Sequence, residues 1–187
     1  MRILISFVFL LFTLTAFAQK KGSNVYAISY GHGSGQIMPF GAKVESSYGN
    51  SRGPVNSIGF AYYKGIGKHT YIETGISLLR HTYTLSSYAP PPLPVPAPVN
   101  KSYNAFFIPL RLRVDIAKYF FVTGGVSVDF IAKQGSSFGT GIGAGVQYYH
   151  KNKYGIFIYP QVNVHDLAIG LIERNITFGL AYKLPRQ

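Results

Sequence analysis

Apolar and polar residues alternate with a period of two along most of this chain. Between Phe106 and Ile116 the even-numbered positions are all aromatic or aliphatic, whereas the odd-numbered positions include Arg111, Arg113 and Asp115. A period of two is the period of a β-strand, because successive side chains point to opposite faces. The segment therefore predicts a strand with one apolar face and one polar face.

The same alternation recurs in eight segments, which predicts eight strands whose ends are uncertain by a few residues. A segment from Ile37 to Ser47 could extend the first strand, replace it or add a hairpin. The predicted strands are Asn24 to His32, Val55 to Tyr63, Thr70 to Leu85, Tyr103 to Ile116, Tyr119 to Ala132, Phe138 to Tyr149, Tyr154 to Asp166 and Glu173 to Leu184.

The connections between these segments fall into two classes that alternate along the chain. Three are short and basic: Lys64 to His69, Ala117 to Lys118, and His150 to Lys153. Short turns at one end and longer loops at the other are typical of outer-membrane barrels, whose short turns face the periplasm. The predicted fold is an all-β, eight-stranded, antiparallel, up-and-down transmembrane β-barrel. The longer connections are Gly33 to Pro54, Ser86 to Ser102, Lys133 to Ser137 and Leu167 to Ile172.

Aromatic residues flank each of the short turns. Rings gathered at one depth form an interfacial girdle in membrane barrels. We therefore predict a girdle on the periplasmic side that comprises Tyr62, Tyr71, Phe120, Tyr148, Tyr154 and Tyr182.

Composition agrees with a membrane barrel, since 15 Tyr, 14 Phe and 21 Gly accompany only 13% charged residues. A water-soluble surface usually carries more charge. The outward aliphatic rows also oppose the alternative of a soluble periplasmic barrel that binds an apolar ligand. Residues 1–18 combine Arg2, an apolar run and Ala16-Phe17-Ala18, the pattern of a secretory signal peptide cleaved near Ala18. The barrel domain is expected to span residues 19–187, without disulfides because the chain has no cysteine.

A row of glycines marks the sixth segment, with Gly139, Gly141, Gly143 and Gly145 at every second position. This spacing does not fit the glycine patterns of phosphate-binding loops. We expect the row to face the barrel interior, where it would leave space for bulky neighbours. The expected neighbours are Phe121, Phe157 and Tyr159.

The formal net charge is +12, and +11 once Arg2 is removed with the signal peptide. A basic exported protein favours anionic partners such as outer-membrane lipids and lipopolysaccharide. No nucleic-acid module is present, and the residues indicate neither a cofactor nor a metal site.

The chain resembles the small porin-like outer-membrane β-barrel proteins of Gram-negative bacteria, including the type associated with protein secretion and gliding. The resemblance rests on FFIPLRLRVDIAKYFFVTGGVSVDF (Phe106 to Phe130), GIGAGVQYY and NITFGLAYKL. Beside this resemblance, we predict a non-enzymatic protein with a packed polar lumen and no open pore, whose role is structural, adhesive or accessory to an envelope or secretion complex.

The inward positions supply acidic and basic side chains on adjacent strands. Eight strands leave an interior that side chains just fill, and charges buried there must be paired. We therefore predict a lumen charge network of Glu73, Arg111, Arg113, Asp115 and Asp129.

A second hypothesis places a lipid A-modifying hydrolase site at the outer rim of the barrel. A serine, a histidine and a carboxylate could form such a site if they converged there. Polar residues also collect at the ends of strands without any catalytic role, and we favour that interpretation. The candidate residues are His32, Ser34, His81, His165, Asp166 and Glu173.

The segment YAPPPLPVPAPVNKSY (Tyr88 to Tyr103) is exceptionally rich in proline. Such a segment favours the polyproline II conformation and can dock on aromatic grooves, or it can be a stiff surface loop without a partner. If the barrel has an envelope protein partner that binds extracellular loops, the expected contact residues are Pro90, Pro91, Pro92, Pro94, Pro96 and Pro98.

Overall fold

The computed structural model describes residues 23–37, 52–85, 99–131, 135–151, 153–165 and 170–184. The predicted signal peptide and the proline positions from 90 to 98 lie outside these residues. No helix in the described ranges is long and apolar enough to cross a membrane.

Eight antiparallel strands form one closed barrel in which each strand pairs with its neighbours in sequence, and β1 also pairs with β8. The predicted strand number, order and direction are confirmed. The strands are β1 (Asn24–Ile37), β2 (Arg52–Gly65), β3 (Thr70–Leu85), β4 (Val99–Asp115), β5 (Phe120–Ile131), β6 (Gly135–His150), β7 (Tyr154–His165) and β8 (Leu171–Lys183).

Several strands are longer than the alternation predicted. β1 continues past Gly33 and Gly35 to Ile37, because its backbone stays paired on both sides, with Gln36 opposite Arg52 and Ile37 opposite Leu171. Hydrogen bonding with two neighbours compensates for the weak strand propensity of glycine. Of the three alternatives for the segment that begins at Ile37, this residue extends β1, and residues 38–47 lie outside the described chain.

The three short turns all lie at the barrel end that also holds the start of β1 and the end of β8. They are closed by backbone hydrogen bonds, which Ile66 donates to Thr70 over 2.9 Å, Ile116 to Phe120 over 3.0 Å, and Lys153 to His150 over 3.0 Å. We call this end the turn end and the opposite end the loop end. The longer connections at the loop end lie almost wholly outside the described residues.

The two faces of the wall differ as the alternation predicted. Outward positions carry large apolar side chains that remain exposed, for example Ile58 at 60%, Leu78 at 61% and Ile142 at 69%. Inward positions are buried and combine polar groups with aromatic rings. A chain that exposes aliphatic rows around a closed, fully paired sheet has the surface that a lipid bilayer requires.

Candidate functional site

The lumen near the loop end contains a buried carboxylate–imidazole–carboxylate cluster of Asp129, His165 and Glu173, here called the outer cluster. The Nδ1 atom of His165 lies 3.2 Å from Oδ2 of Asp129, and its Nε2 atom lies 2.8 Å from Oε2 of Glu173. All three side chains are almost fully buried. If both carboxyl groups are ionised, both contacts are hydrogen bonds only when both ring nitrogens carry protons, and the geometry then fits an imidazolium ion between two carboxylates.

A chain of polar side chains joins Arg111 on β4 to the outer cluster. The guanidinium group of Arg111 donates to Gln161 over 3.0 Å and to Asn163 over 2.9 Å. Asn163 in turn donates to Oε2 of Glu173 over 2.8 Å, and Asn175 donates to Oε1 of the same carboxylate over 2.5 Å. Glu173 therefore links strands β7 and β8, because its carboxylate accepts hydrogen bonds from side chains on both.

Near the turn end, aromatic rings fill the lumen; we call Tyr63, Tyr71, Phe121, Phe157 and Tyr159 the aromatic plug. The ring of Phe121 packs edge-on against Phe157 and Tyr159, with centroids 6.5 and 5.4 Å away. All five side chains are buried in one cluster.

Arg113 is held within the aromatic plug. Its guanidinium carbon lies 3.7 Å from the ring centroid of Phe121, and its Nε atom forms an ion pair with Asp115 over 3.3 Å. It also donates to Gln147. Stacking on an aromatic face together with two hydrogen-bonded partners stabilises a buried guanidinium group.

The filled lumen leaves little internal space among the described residues. One cavity of about 30 Å³ lies between Glu73, Arg111 and Gln161, and another of about 10 Å³ lies beside Arg113. The larger volume suits one or two water molecules and is far too small for a continuous aqueous path. The barrel is therefore closed by its own side chains.

The glycine row on β6 makes this packing possible, because its residues have no side chains. A Cβ atom placed on Gly145 would lie 2.2 Å from Cβ of Tyr159, and one placed on Gly141 would lie 2.1 Å from Oδ1 of Asn163. Tyr159 was an expected neighbour, whereas the ring of Phe157 packs over Gly179 of β8 instead. The glycine row thus accommodates both the aromatic plug and the polar chain that leads to the outer cluster.

The five residues predicted for the lumen network all have inward positions. Asp115 and Arg113 pair directly, while Asp129 accepts a 2.7 Å hydrogen bond from Ser127 and faces His165. Glu73 lies opposite Arg111 in the strand register and accepts a 3.2 Å hydrogen bond from Thr123. The sequence prediction placed His165 and Glu173 at the outer rim and not in this network, although both continue inward rows.

Five of the six predicted girdle residues lie on the outer wall near the turn end. The rings of Tyr154 and Tyr182 are 5.3 Å apart, and Tyr62 lies 5.2 Å from Tyr26, which the prediction did not include. The prediction was wrong for Tyr71, which is only 7% exposed and belongs to the aromatic plug. Tyr71 and Glu73 are two residues apart on β3, so their side chains lie on the same face of the strand, and Tyr71 must face the lumen. The confirmed outward positions are Tyr62, Phe120, Tyr148, Tyr154 and Tyr182.

The described residues do not assemble the predicted hydrolase site. His32 and Ser34 are exposed on the outer wall, whereas His165 and Glu173 are buried in the lumen, as is His81. The wall of the barrel separates the serine hydroxyl from the histidine and the carboxylate, so the convergence required for a triad is absent among these residues. Asp166 lies outside the described chain.

Comparison with known proteins defines the class of the fold. No family model and no curated protein sequence matches the chain. Among solved structures, Neisserial surface protein A is 12% identical, with a TM-score of 0.53 and coverage of 88% of this chain and 100% of that one. Two Pseudomonas aeruginosa structures, the N-terminal β-barrel domain of OprF and the outer membrane protein OprG, are each 10% identical with TM-scores of 0.50. They cover 88% and 89% of this chain, and 100% and 98% of their own.

At these identities the likeness shows the fold and not a shared activity. The chain has the fold of the small eight-stranded outer-membrane β-barrels. The sequence resemblance to small porin-like barrels is confirmed at the level of the fold.

Proposed function

We propose that this protein is a non-enzymatic outer-membrane β-barrel with a closed polar lumen. It acts as a structural or adhesive component of the envelope, or as an accessory of an envelope or secretion complex. Its immediate partners are outer-membrane lipids and lipopolysaccharide. A signal peptide over residues 1–18, cleaved near Ala18, would deliver it to the periplasm for insertion.

The closed lumen is the observation that carries this proposal. Hydrogen-bonded charges occupy the half near the loop end, and the aromatic plug occupies the other half. A channel would need a continuous polar path, and an enzyme would need a reachable cleft with convergent groups. The charge network instead fills the lumen, and its hydrogen bonds between strands fix the strand register.

Conductance measurements test the closed lumen. The refolded chain, reconstituted in planar bilayers, should give no stable single-channel steps, because the cavities beside Arg111 and Arg113 are too small for hydrated ions. Heat-modifiable gel migration of the same preparation verifies that folded barrel is present, and fractionation of cells tests its outer-membrane location. Reproducible unitary steps from folded protein would contradict the proposal.

The outer-wall aromatics Tyr62, Phe120, Tyr148, Tyr154 and Tyr182 are proposed to form the girdle at the periplasmic lipid interface. Amphipathic rings favour this depth in a bilayer. Lysines accompany them: the ammonium group of Lys153 lies 5.6 Å from the ring centroid of Tyr154 and 5.7 Å from that of Tyr182. Such cations can reach the lipid phosphates at the same level.

The proline-rich segment is the proposed contact for an envelope protein partner. Deletion of residues 90–98 should leave insertion intact, because the paired ladder of β3 and β4 extends from Thr70 and Val114 to Leu85 and Val99 without these residues. Heat-modifiable migration and fractionation of the deletion variant check this, and cross-linking in cells checks partner loss. A variant that fails to insert would show that the segment is required for folding.

A further inference from the structure

Charge is segregated between the two faces of the barrel wall. The four acidic residues in the described chain are inward: Glu73, Asp129 and Glu173 are buried, and Asp115 is paired with Arg113. All exposed charged residues among the described positions are therefore basic, including Arg80 and Arg174 on the outer wall. Neither of these two arginines meets a carboxylate from the described residues, so within this part of the chain no acidic side chain balances their charge.

The outer wall also carries a polar row across four adjacent strands. His32 on β1 lies opposite Asn56 on β2, Asn56 opposite Arg80 on β3, and Arg80 opposite Asn104 on β4. The outward row immediately toward the turn end is apolar, and its members are Tyr30, Ile58, Leu78 and Phe106. On each of these four strands, the outer wall therefore changes from apolar to polar between one outward position and the next.

Arg174 adds a second cation next to this row. It lies opposite Ser34 on β1 and opposite Val162 on β7. Arg174 is eight residues along β8 from Tyr182 of the girdle, which corresponds to a height of about 20 Å for a strand tilted by about 40°. The apolar band of such barrels is about 25 Å tall, so the Cα atom of Arg174 lies about 5 Å below the outer lipid interface, and its long side chain extends the guanidinium group to that level.

Hydrogen bonds pre-position one member of the row. Tyr30 donates its hydroxyl proton to Oδ1 of Asn56 over 2.8 Å, and Nδ1 of His32 lies 2.8 Å from the same oxygen. Because that oxygen accepts from both side chains, the Asn56 amide group is oriented with its N–H donors available to a ligand. A fixed amide beside a free guanidinium group is suited to a ligand that bears both hydroxyl and phosphate groups.

We propose that His32, Ser34, Asn56, Arg80, Asn104 and Arg174 form a binding site, here called the wall patch, for a phosphorylated glycolipid of the outer leaflet. Arg80 and Arg174 each bind a phosphate in bidentate fashion, and the amides bind sugar hydroxyls. Three strand spacings and an offset of two residues along the strands separate the two arginines, about 16 Å across the wall, so they bind different phosphate groups. This inference rests on the proposed function, which places the barrel in the outer membrane and names lipopolysaccharide as a partner.

Lipid binding by matched double variants tests the wall patch. The full mature chain, folded in a non-ionic detergent, would be titrated with purified diphosphorylated lipid A and observed by native mass spectrometry. Arg80→Gln with Arg174→Gln should weaken binding by about tenfold or more, because two charge-assisted contacts are lost. The control, Lys68→Gln with Lys118→Gln, removes the same charge from exposed turn-end positions and should change binding by less than about twofold.

Two further probes separate the sources of phosphate. Monophosphorylated lipid A should bind more weakly than the diphosphorylated form, and phosphatidylglycerol should bind more weakly than both. Equal losses in the two double variants would mean non-specific attraction, and equal binding of phosphatidylglycerol would mean that the sugar is not recognised; either result overturns the inference. If the same preparation shows heat-modifiable gel migration and gives no conductance steps in bilayers, the proposal of a closed barrel would stand even though the wall patch was rejected.

Discussion

Replacing Gly145 with alanine should prevent normal closure of the barrel between β6 and β7. The added Cβ atom would lie 2.2 Å from Cβ of Tyr159 and 2.4 Å from the carbonyl oxygen of Ile158. Both atoms are fixed by the backbone of β7, so no side-chain rotation relieves the contact. Overpacking of this kind typically costs about 1–3 kcal/mol, and we expect a loss of about 3 kcal/mol or more here because the backbone must move.

The matched control is Gly124→Ala on the neighbouring strand β5. Among the described residues, a Cβ atom at Gly124 would contact only Gly141 and Ile142, at 3.5 Å, and would lie on the outer face of the wall. Its effect should stay within about 0.5 kcal/mol, as for other surface positions. The chain has no tryptophan, so the folded fraction would be followed by gel mobility in lipid vesicles over a urea series. Equal stability of the two variants would show that the glycine row is not crowded.

Gly143→Leu extends the same test toward the outer cluster. A Cβ atom at Gly143 would lie 2.8 Å from the Tyr159 ring and 3.1 Å from Cβ of Gln161, and leucine adds three more carbons. A heat-modifiable Gly143→Leu barrel would contradict the assignment of this row to packing.

Strand order and strand faces could be predicted because each depends on local alternation. In β4 the apolar row from Phe106 to Val114 faces outward and Arg111 and Arg113 face inward, as a period of two requires. Strand ends could not be predicted in the same way. β1 reaches Ile37 because two neighbours pair with its backbone, and backbone pairing leaves no trace in the side-chain pattern of a segment that contains Gly33 and Gly35.

The lumen network could be predicted only in part. Its members could be chosen by parity, but their partners lie across the lumen, and cross-lumen distances depend on how the closed barrel is filled. His165 and Glu173 were assigned to the rim because they stand near predicted strand ends. The inward rows that contain Asn163 and Asn175 continue into them, so stricter use of parity would have placed both residues inside.

Parity also explains the one wrong girdle residue. Proximity to a short turn placed Tyr71 among the interfacial aromatics, although its odd number on β3 groups it with Glu73 on the lumen face. Depth along a strand and the face of the strand are independent variables, and both are needed to assign an aromatic residue to lipid or to the core.

Neutralising Glu173 should cost more than neutralising any comparable carboxylate near the turn end. Glu173 is fully buried and accepts hydrogen bonds from His165, Asn163 and Asn175. In Glu173→Gln, only one acceptor oxygen remains, so the new NH2 group must face either the His165 imidazolium or the Asn175 donor, and one of the two charges that balance the imidazolium is lost. Removal of one partner from a buried ion pair typically costs about 3–5 kcal/mol, and we expect about 3 kcal/mol because Asp129 remains on the other side of the ring.

Asp115→Asn is the matched carboxylate-to-amide control. The Asp115 side chain is 15% exposed and pairs with Arg113, which keeps its hydrogen bond to Gln147 and its stacking on Phe121. Because Arg113 keeps these partners and Asp115 is partly solvated, its loss should cost about 1–2 kcal/mol, less than the loss at Glu173. Urea unfolding of both variants in lipid vesicles measures the difference, and equal or reversed losses would mean that the outer cluster does not stabilise the barrel.

A double-mutant cycle then isolates the His165–Glu173 interaction. If the two side chains stabilise each other directly, His165→Gln combined with Glu173→Gln should cost less than the sum of the single variants, by about 0.5–3 kcal/mol. His165→Gln removes the cation that makes the acceptor at Glu173 necessary, so the second substitution loses less. If the two losses add exactly, His165 and Glu173 do not stabilise each other. The effect of Glu173→Gln would then come from its hydrogen bonds to Asn163 and Asn175, and not from the imidazolium between the two carboxylates.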